Sequence, residues 1–227
     1  MNIKIFTELQ EIIRECPQVM WDKQSLETVI SGTFGVNIER LSYNSIVELT
    51  YQIDRAIMEQ YFTKVWQPQT KKYKYSGLSI VDEVNDLKPR SVVDIGCGYN
   101  EFKGKINNLT GIDAYNKKAD MNLSVIEYKP KEKHDIAIAL GSVNFGSVDS
   151  ILQELHHIVN NIVTPGGLIF FRGNPGQMHA APEARWIDFF KWTPSFILNS
   201  AGALNCEVVT LQQDTDRLYF VWKTGDK

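Results

Sequence analysis

The chain has 227 residues, 43% of them hydrophobic and 22% charged, with a formal net charge of −3. That balance fits one α/β domain with an added segment, or two small domains, with enough residues for a substantial core. It excludes a globally basic nucleic-acid binder and gives no pull toward an acidic membrane, while leaving room for a local basic patch.

Residues 1–75 read as an N-terminal helical segment, a cap or accessory to the rest of the chain. Ile5, Leu9, Ile12 and Ile13 recur at helical spacing until Pro17 interrupts them. Residues 31–35 read as a turn. A second helix starts at Ser42, a good N-cap, and carries Ile46, Leu49, Ile53, Ile57, Tyr61 and Val65 on one side. The polar, lysine-rich stretch 67–75 contains Pro68 and reads as a linker. Its lysines fit either a solvated loop or a phosphate-facing patch with interleaved tyrosines.

From residue 76 the texture changes to alternating helices and strands. A helix over 77–87 precedes Pro89. Strands are expected at 91–95, 109–112, 136–140, 168–172, 207–212 and 219–222, with a short edge strand near 118–121. Helices are expected at 101–108, 147–161 and 194–200. The helix at 147–161 stops before Thr164-Pro165-Gly166-Gly167. This alternation implies a doubly wound, mostly parallel seven-stranded sheet over residues 76–227. Only Asp214-Thr215-Asp216-Arg217 joins the last two strands, so the C-terminal strand must be reversed in a hairpin.

The loop after the first of these strands carries the strongest chemical signal, Val93-Asp94-Ile95-Gly96-Cys97-Gly98. Glycines there allow a tight turn and close approach of a ligand. A helix following the loop would offer its unpaired N–H groups. Asp94 decides the ligand's sign: an acid two residues before Gly96 repels a pyrophosphate and suits an ammonium group. Asp113 closes the second strand about 20 residues on, where an acid can accept hydrogen bonds from ribose hydroxyls. The alternatives are a turn or N-cap role for Asp113 and a structural buried carboxylate at Asp94.

Val92-Val93-Asp94-Ile95-Gly96-Cys97-Gly98 resembles the first motif of class I, Rossmann-like S-adenosylmethionine-dependent methyltransferases. Gly111-Ile112-Asp113 is similar to their second motif, and Ala119-Asp120-Met121 to the acidic segment after their third strand. Residues 134–142 resemble the fourth-strand motif, and residues 164–170 the proline–glycine turn before strand five. The resemblance covers residues 76–224. Glu101-Phe102-Lys103-Gly104-Lys105 is also similar to methyltransferases encoded by large tailed phages. By this resemblance S-adenosyl-L-methionine is the cofactor. Gly96, Cys97 and Gly98 would line its methionyl side with Asp94 near the amino group, Asp113 would bind its ribose, Ala114, Tyr115, Asp120 and Met121 its adenine, and Asn100 would belong to the same cofactor site. Leu140, Gly141 and Ser142 would contact it from below. Asn100 replaces the usual third glycine, a position where Asn tolerates left-handed geometry.

The acceptor is less legible. No Pro-Pro pair follows the fourth-strand motif and no cysteine follows a proline, which disfavours both DNA-base methyltransferase classes. Asn144 and Phe145 lie where the family's acceptor pocket opens, so Asn144 could orient an acceptor. His179, in the loop after the fifth strand of the motif series, is the candidate general base. Neither has a metal-ligand set around it, and no metal is expected. Trp186, Phe189, Phe190 and Trp192 fit core packing or an acceptor wall. His134 reads as a strand-edge residue.

The expectation is therefore a methyltransferase acting on a small molecule. Alternatives are a protein or nucleic-acid acceptor docked on Lys64, Lys71, Lys72 and Lys74, a non-catalytic cofactor-binding protein, or a nicotinamide dehydrogenase. The last needs glycine where this chain has Glu101. Cys16, Cys97 and Cys206 form no paired motif, the start has no apolar signal core, and no run is long enough to span a bilayer. Those features point to the cytoplasm.

Overall fold

The computed structural model describes residues 46–66, 77–174, 176, 184 and 186–226, together with single positions 7, 11, 28, 31 and 32. The apolar series Ile5, Leu9, Ile12 and Ile13, the Ser42 cap, the 67–75 linker and His179 lie outside these residues. Two compact units are present: Met1–Trp66 with Met178–Asp188, and Gln67–Gln177 with Phe189–Lys227.

In the first unit, helix α1 (Ile46–Gln60) ends in a π-helical turn, Tyr61–Val65. Ile53, Ile57 and Tyr61 are buried. Their spacing of four places them along one stripe, as the helical period requires. Ser31 and Gly32, expected in a turn, have helical backbone instead. A Cβ at Gly32 would meet nothing, so its only cost there is the flexibility glycine gives up, about 1 kcal/mol.

The second unit opens with a 3₁₀ turn, Gly77–Ile80, leading into α2 (Val81–Asp86). The strands are β1 (Val92–Ile95), β2 (Leu109–Ile112), β3 (His134–Ala139), β4 (Val163–Gly173), β5 (Cys206–Asp214) and β6 (Arg217–Thr224). Helix α3 (Val148–His157) precedes β4 and continues as a π turn, Ile158–Ile162; α4 (Pro194–Ala203) precedes β5. Among the described residues the sheet has six strands in the order β2-β1-β3-β4-β6-β5. Strands β1 to β4 are mutually parallel, and β6 runs antiparallel between β4 and β5. The reversed final strand is as expected.

Seven strands were expected, and the seventh is reduced to one bridge between Ile112 and Met121. Asp120 explains why pairing goes no further there. Its carboxylate, not a strand carbonyl, accepts the Gly111 N–H.

The helix expected over 101–108 is a series of turns. Asn100, Gly104 and Asn108 all have positive φ, which a right-handed helix cannot contain. His134 opens β3, at the edge of its strand as expected. It is buried on β3, an interior strand, with its Nε2 2.8 Å from the Tyr128 hydroxyl.

Strand β4 starts earlier than expected and contains the Pro-Gly turn. His134 pairs with Val163 and Ile136 with Leu168, so β4 carries several more residues than β3 across this interval. Pro165, which has no N–H to donate, sits in that unpaired excess.

Alternation along the strands sends side chains to two cores. Val93, Ile95, Ala137, Ala139, Ile169, Phe171, Phe220 and Trp222 meet α3 and α4 residues Ile151, Leu155, Ile197 and Ala201. Val92, Ile136, Ile138, Phe170, Tyr219 and Val221 meet Ile80 and Val84 on the other face. Apolar groups on both faces make this a doubly wound α/β unit. The parallel strands all end at one edge, where the loops after β1, β2, β3 and β4 gather.

Candidate functional site

The loop after β1 is shaped by glycine. Gly96 has φ +66° and Gly98 φ +52°. A Cβ on Gly96 would overlap Ser142 Cβ and lie 3.2 Å from Ser142 Oγ. The loops after β1 and β3 therefore touch at this glycine. The Ser142 hydroxyl is buried with no hydrogen-bond partner among the described residues.

Asp94, on β1, is only 4% exposed. Burial, and then the nearby Asp113 carboxylate, raise its carboxyl to about 8. Both causes penalise the charged form, and no cation among the described residues offsets them. Cys97 is half-buried, its thiol pushed up by burial and by Asp94, Asp113 and Asp120. Such a thiol is a poor nucleophile.

Asp113 organises the neighbouring turn. Its Oδ2 accepts the Gly98 N–H at 2.9 Å, and its Oδ1 accepts the N–H groups of Tyr115 and Asn116 at 2.8 Å each. A carboxylate offers about four lone-pair directions, so one remains for a ligand hydroxyl. The turn role is therefore observed, and it leaves room on the same side chain for a further donor. Ala114 and Tyr115 are half-buried in that turn.

The loop offers few amides to an anion. No helix follows it, Gly98 N–H is taken by Asp113, and Cys97 N–H donates to Ile112 O at 3.0 Å. Two carboxyls stand beside it. The arrangement disfavours a phosphate and suits a cation.

Asn100 has φ +57° and donates from Nδ2 to Lys118 O at 3.0 Å. Its Oδ1 is buried without a partner among the described residues. A side chain on Gly111 would collide with that amide and with Cys97 Sγ. Asp120 is engaged within the fold: its Oδ2 accepts from Gly111 N and from Lys103 Nζ, both at 2.8 Å. Those bonds hold its carboxyl below the usual range. Lys103 is a participant that the sequence reading missed. Met121 is exposed beside the end of β2.

Leu140, Gly141 and Ser142 lead away from β3. Leu140 O accepts from Arg172 Nη2 at 3.2 Å. Asn144 is buried and clasps two loops. Its Nδ2 donates to Arg172 O at 3.2 Å, its Oδ1 accepts Asn174 N–H at 2.7 Å, and its backbone carbonyl accepts Phe190 N–H at 2.8 Å. One amide N–H is left for other work. Phe145 meets Phe189 edge to face, with centroids 5.5 Å apart. Phe190 and Trp192 are core residues, stacked among Phe171, Phe196 and Phe220, and Trp192 Nε1 donates to Val143 O. The core reading thus holds for these two. Among the described residues no group of His, Cys, Asp or Glu could hold a metal ion, and no helix is long and apolar enough to cross a membrane.

No family model and no curated protein matches this sequence. Solved structures do. One is 1,6-didemethyltoxoflavin-N1-methyltransferase of Burkholderia thailandensis, with bound 1,6-didemethyltoxoflavin and S-adenosylhomocysteine. It matches with TM-score 0.60 and 15% identity over 80% of this chain and 91% of its own. Another is human N-acetylserotonin methyltransferase in complex with S-adenosylmethionine, with TM-score 0.52 and 14% identity over 86% of this chain and 62% of its own. At such identities the likeness is one of fold: the chain has the Rossmann-like fold of class I methyltransferases.

Proposed function

We propose that the chain is an S-adenosylmethionine-dependent methyltransferase whose acceptor is a small molecule. The observation that carries this reading is the buried Asp94 carboxyl, raised to about 8, beside a loop that turns on two positive-φ glycines. A site with that charge is suited to an ammonium ion and unsuited to a dinucleotide pyrophosphate. The fold supports the same choice, and both similar structures were solved with the methyl donor or its product.

The residues present fit that cofactor. Asp94 would hold the ammonium of its methionyl part, and Gly96, Cys97 and Gly98 would let the backbone approach it. The unpartnered Ser142 hydroxyl and Asn100 Oδ1 are polar atoms in need of a bonding partner. Asp113 would offer its remaining lone pair to a ribose hydroxyl. When bound, S-adenosylmethionine supplies an electrophilic methyl group that an acceptor lone pair can displace. The chain's own part is alignment and exclusion of water, which suffice for many displacements at carbon. His179 stays the candidate base, and Asn144 acts by holding the β3 loop against the end of β4. The proposed location is the cytoplasm.

Titration calorimetry with S-adenosylhomocysteine and, separately, NAD tests the reading. Binding of the first with release of a proton near neutrality is expected, because an ammonium beside Asp94 draws its pKa down. Binding of NAD alone overturns the proposal.

A further inference from the structure

Three hydrogen-bond donors converge beside Gly141. A Cβ built on this residue would lie 3.5 Å from Arg172 Nη2, 3.8 Å from Asn144 Nδ2 and 3.9 Å from Arg217 Nη1. Gly141 has φ +101°, so the position both requires glycine and keeps this space free of a side chain. The three donors come from three elements. Arg172 is near the end of β4, Asn144 lies in the loop after β3, and Arg217 opens β6.

Topology brings them together. β6 is antiparallel to β4, with Gly173 opposite Leu218, so the start of β6 reaches the same sheet edge as the end of β4. That edge also carries the loop after β1, and Ser142, next to Gly141, is the residue that touches Gly96. The donors therefore stand one residue from the contact between the two cofactor-side loops.

All three groups that approach this point are donors. Arg172 Nη2 also donates to Leu140 O and Asn144 Nδ2 to Arg172 O, each at 3.2 Å, and each group has further N–H bonds to give. Asp214 and Asp216 flank Arg217 in the β5–β6 turn, and both arginines make other contacts in the fold. A guanidinium has five N–H donors, so those contacts and a shared anion are compatible. Planar guanidinium groups match the geometry of carboxylate and phosphate oxygens.

We infer that Gly141, Asn144, Arg172 and Arg217 form a cradle for a carboxylate or phosphate group of the methyl acceptor. The substrate class is then a small molecule with an anionic group close to the atom that takes the methyl. This inference rests on the methyltransferase reading. It assigns Arg217 a role in specificity that no sequence motif suggested.

The test uses the full chain at fixed ionic strength, with and without S-adenosylhomocysteine. Benzoate and inorganic phosphate probe the two oxyanion types, and benzamide is the neutral match for benzoate. Saturable binding of benzoate or phosphate, with benzamide at least about tenfold weaker than benzoate, is expected. Which oxyanion binds more tightly assigns the group as carboxylate or phosphate. Arg217→Gln should weaken the anion at least about tenfold, with Arg217→Lys in between and S-adenosylhomocysteine affinity unchanged. Wild-type protein that binds neither anion, or that binds benzamide as well as benzoate, overturns the inference without recourse to any variant. An Arg217→Gln protein that loses S-adenosylhomocysteine while benzoate shows no site also overturns it, and gives the arginines to the cofactor's own carboxylate. Failure of wild type to bind S-adenosylhomocysteine strikes the methyltransferase reading instead, while the anion arms report on the cradle separately.

Discussion

Asp94→Asn keeps the shape of a buried carboxyl and removes its ability to ionise. In the folded chain this group titrates at about 8, against 3.8 in an unfolded chain. Between those values the unfolded state gives up a proton that the folded state retains. Stability from this group therefore falls as pH rises, by about 1.4 kcal/mol per pH unit. Across the whole window the ceiling is about 6 kcal/mol, reached at about pH 8. Relaxation and water entry around a buried charge bring the realised cost below that ceiling. A gain of even about 2 kcal/mol would raise the melting temperature of a chain this size by roughly 4–8 °C. Ligand-free wild type and Asp94→Asn should be compared by urea and thermal unfolding from about pH 4.5 to 8.5. The variant should be the more stable near neutrality, with a gap that widens as pH rises and closes toward the acid end. It should also bind S-adenosylhomocysteine at least about a hundredfold more weakly, since an amide cannot balance an ammonium charge. Parallel stability curves for the two proteins would refute the reasoning.

Gly96→Ala meets both a left-handed backbone and the Ser142 Cβ, so a loss of about 1–3 kcal/mol is expected by denaturant titration. Adding Ser142→Gly should restore the steric share and leave the backbone share; no recovery would exonerate Ser142. Asp120→Asn should cost about 1 kcal/mol by weakening the bonds from Gly111 N and Lys103 Nζ, while S-adenosylhomocysteine affinity stays within about threefold. A drop of tenfold or more in calorimetry would return Asp120 to the adenine role. Burial also lowers the pKa of His134 beneath 6.5. As pH falls below 6.5 the unfolded chain takes up a proton that the folded chain resists, so stability declines toward the folded value. In an Asp94→Asn background, which removes the opposing slope, His134→Gln should flatten this acid limb of the unfolding curve.

Much of the fold was legible because its signals are local. Short apolar runs marked the strands, Ser147 does cap α3, and the short connection at 214–217 left a hairpin as the only solution. What failed depended on contacts distant in sequence. A helix over 101–108 was expected from its place between the glycine loop and the second strand, and the positive φ at Asn100, Gly104 and Asn108 gives turns instead. The edge strand at 118–121 was lost to Asp120, whose bond to Gly111 N cannot be inferred from either residue alone. The candidate site divides the same way. Asp94, Gly96 and Gly98 were readable as a motif, since their roles follow from charge and backbone freedom within five residues. Arg172 and Arg217 are 45 residues apart in sequence and meet only because β6 returns antiparallel to β4.

The two ends of the proposed site carry opposite demands. At the ends of β1 and β2, burial and the nearby Asp113 carboxylate disfavour ionisation of Asp94. At the ends of β3, β4 and β6, Arg172 and Arg217 approach the same point from two sides. The arrangement at Asp94 costs stability in the free protein and is relieved by a ligand of the opposite sign. A cofactor with an ammonium group answers the first, and an anionic acceptor answers the second. The cost at Asp94 is set by its raised pKa. Stabilising substitutions should therefore concentrate at the acidic end, where burial is greater, and the same substitutions should be the ones that abolish cofactor binding.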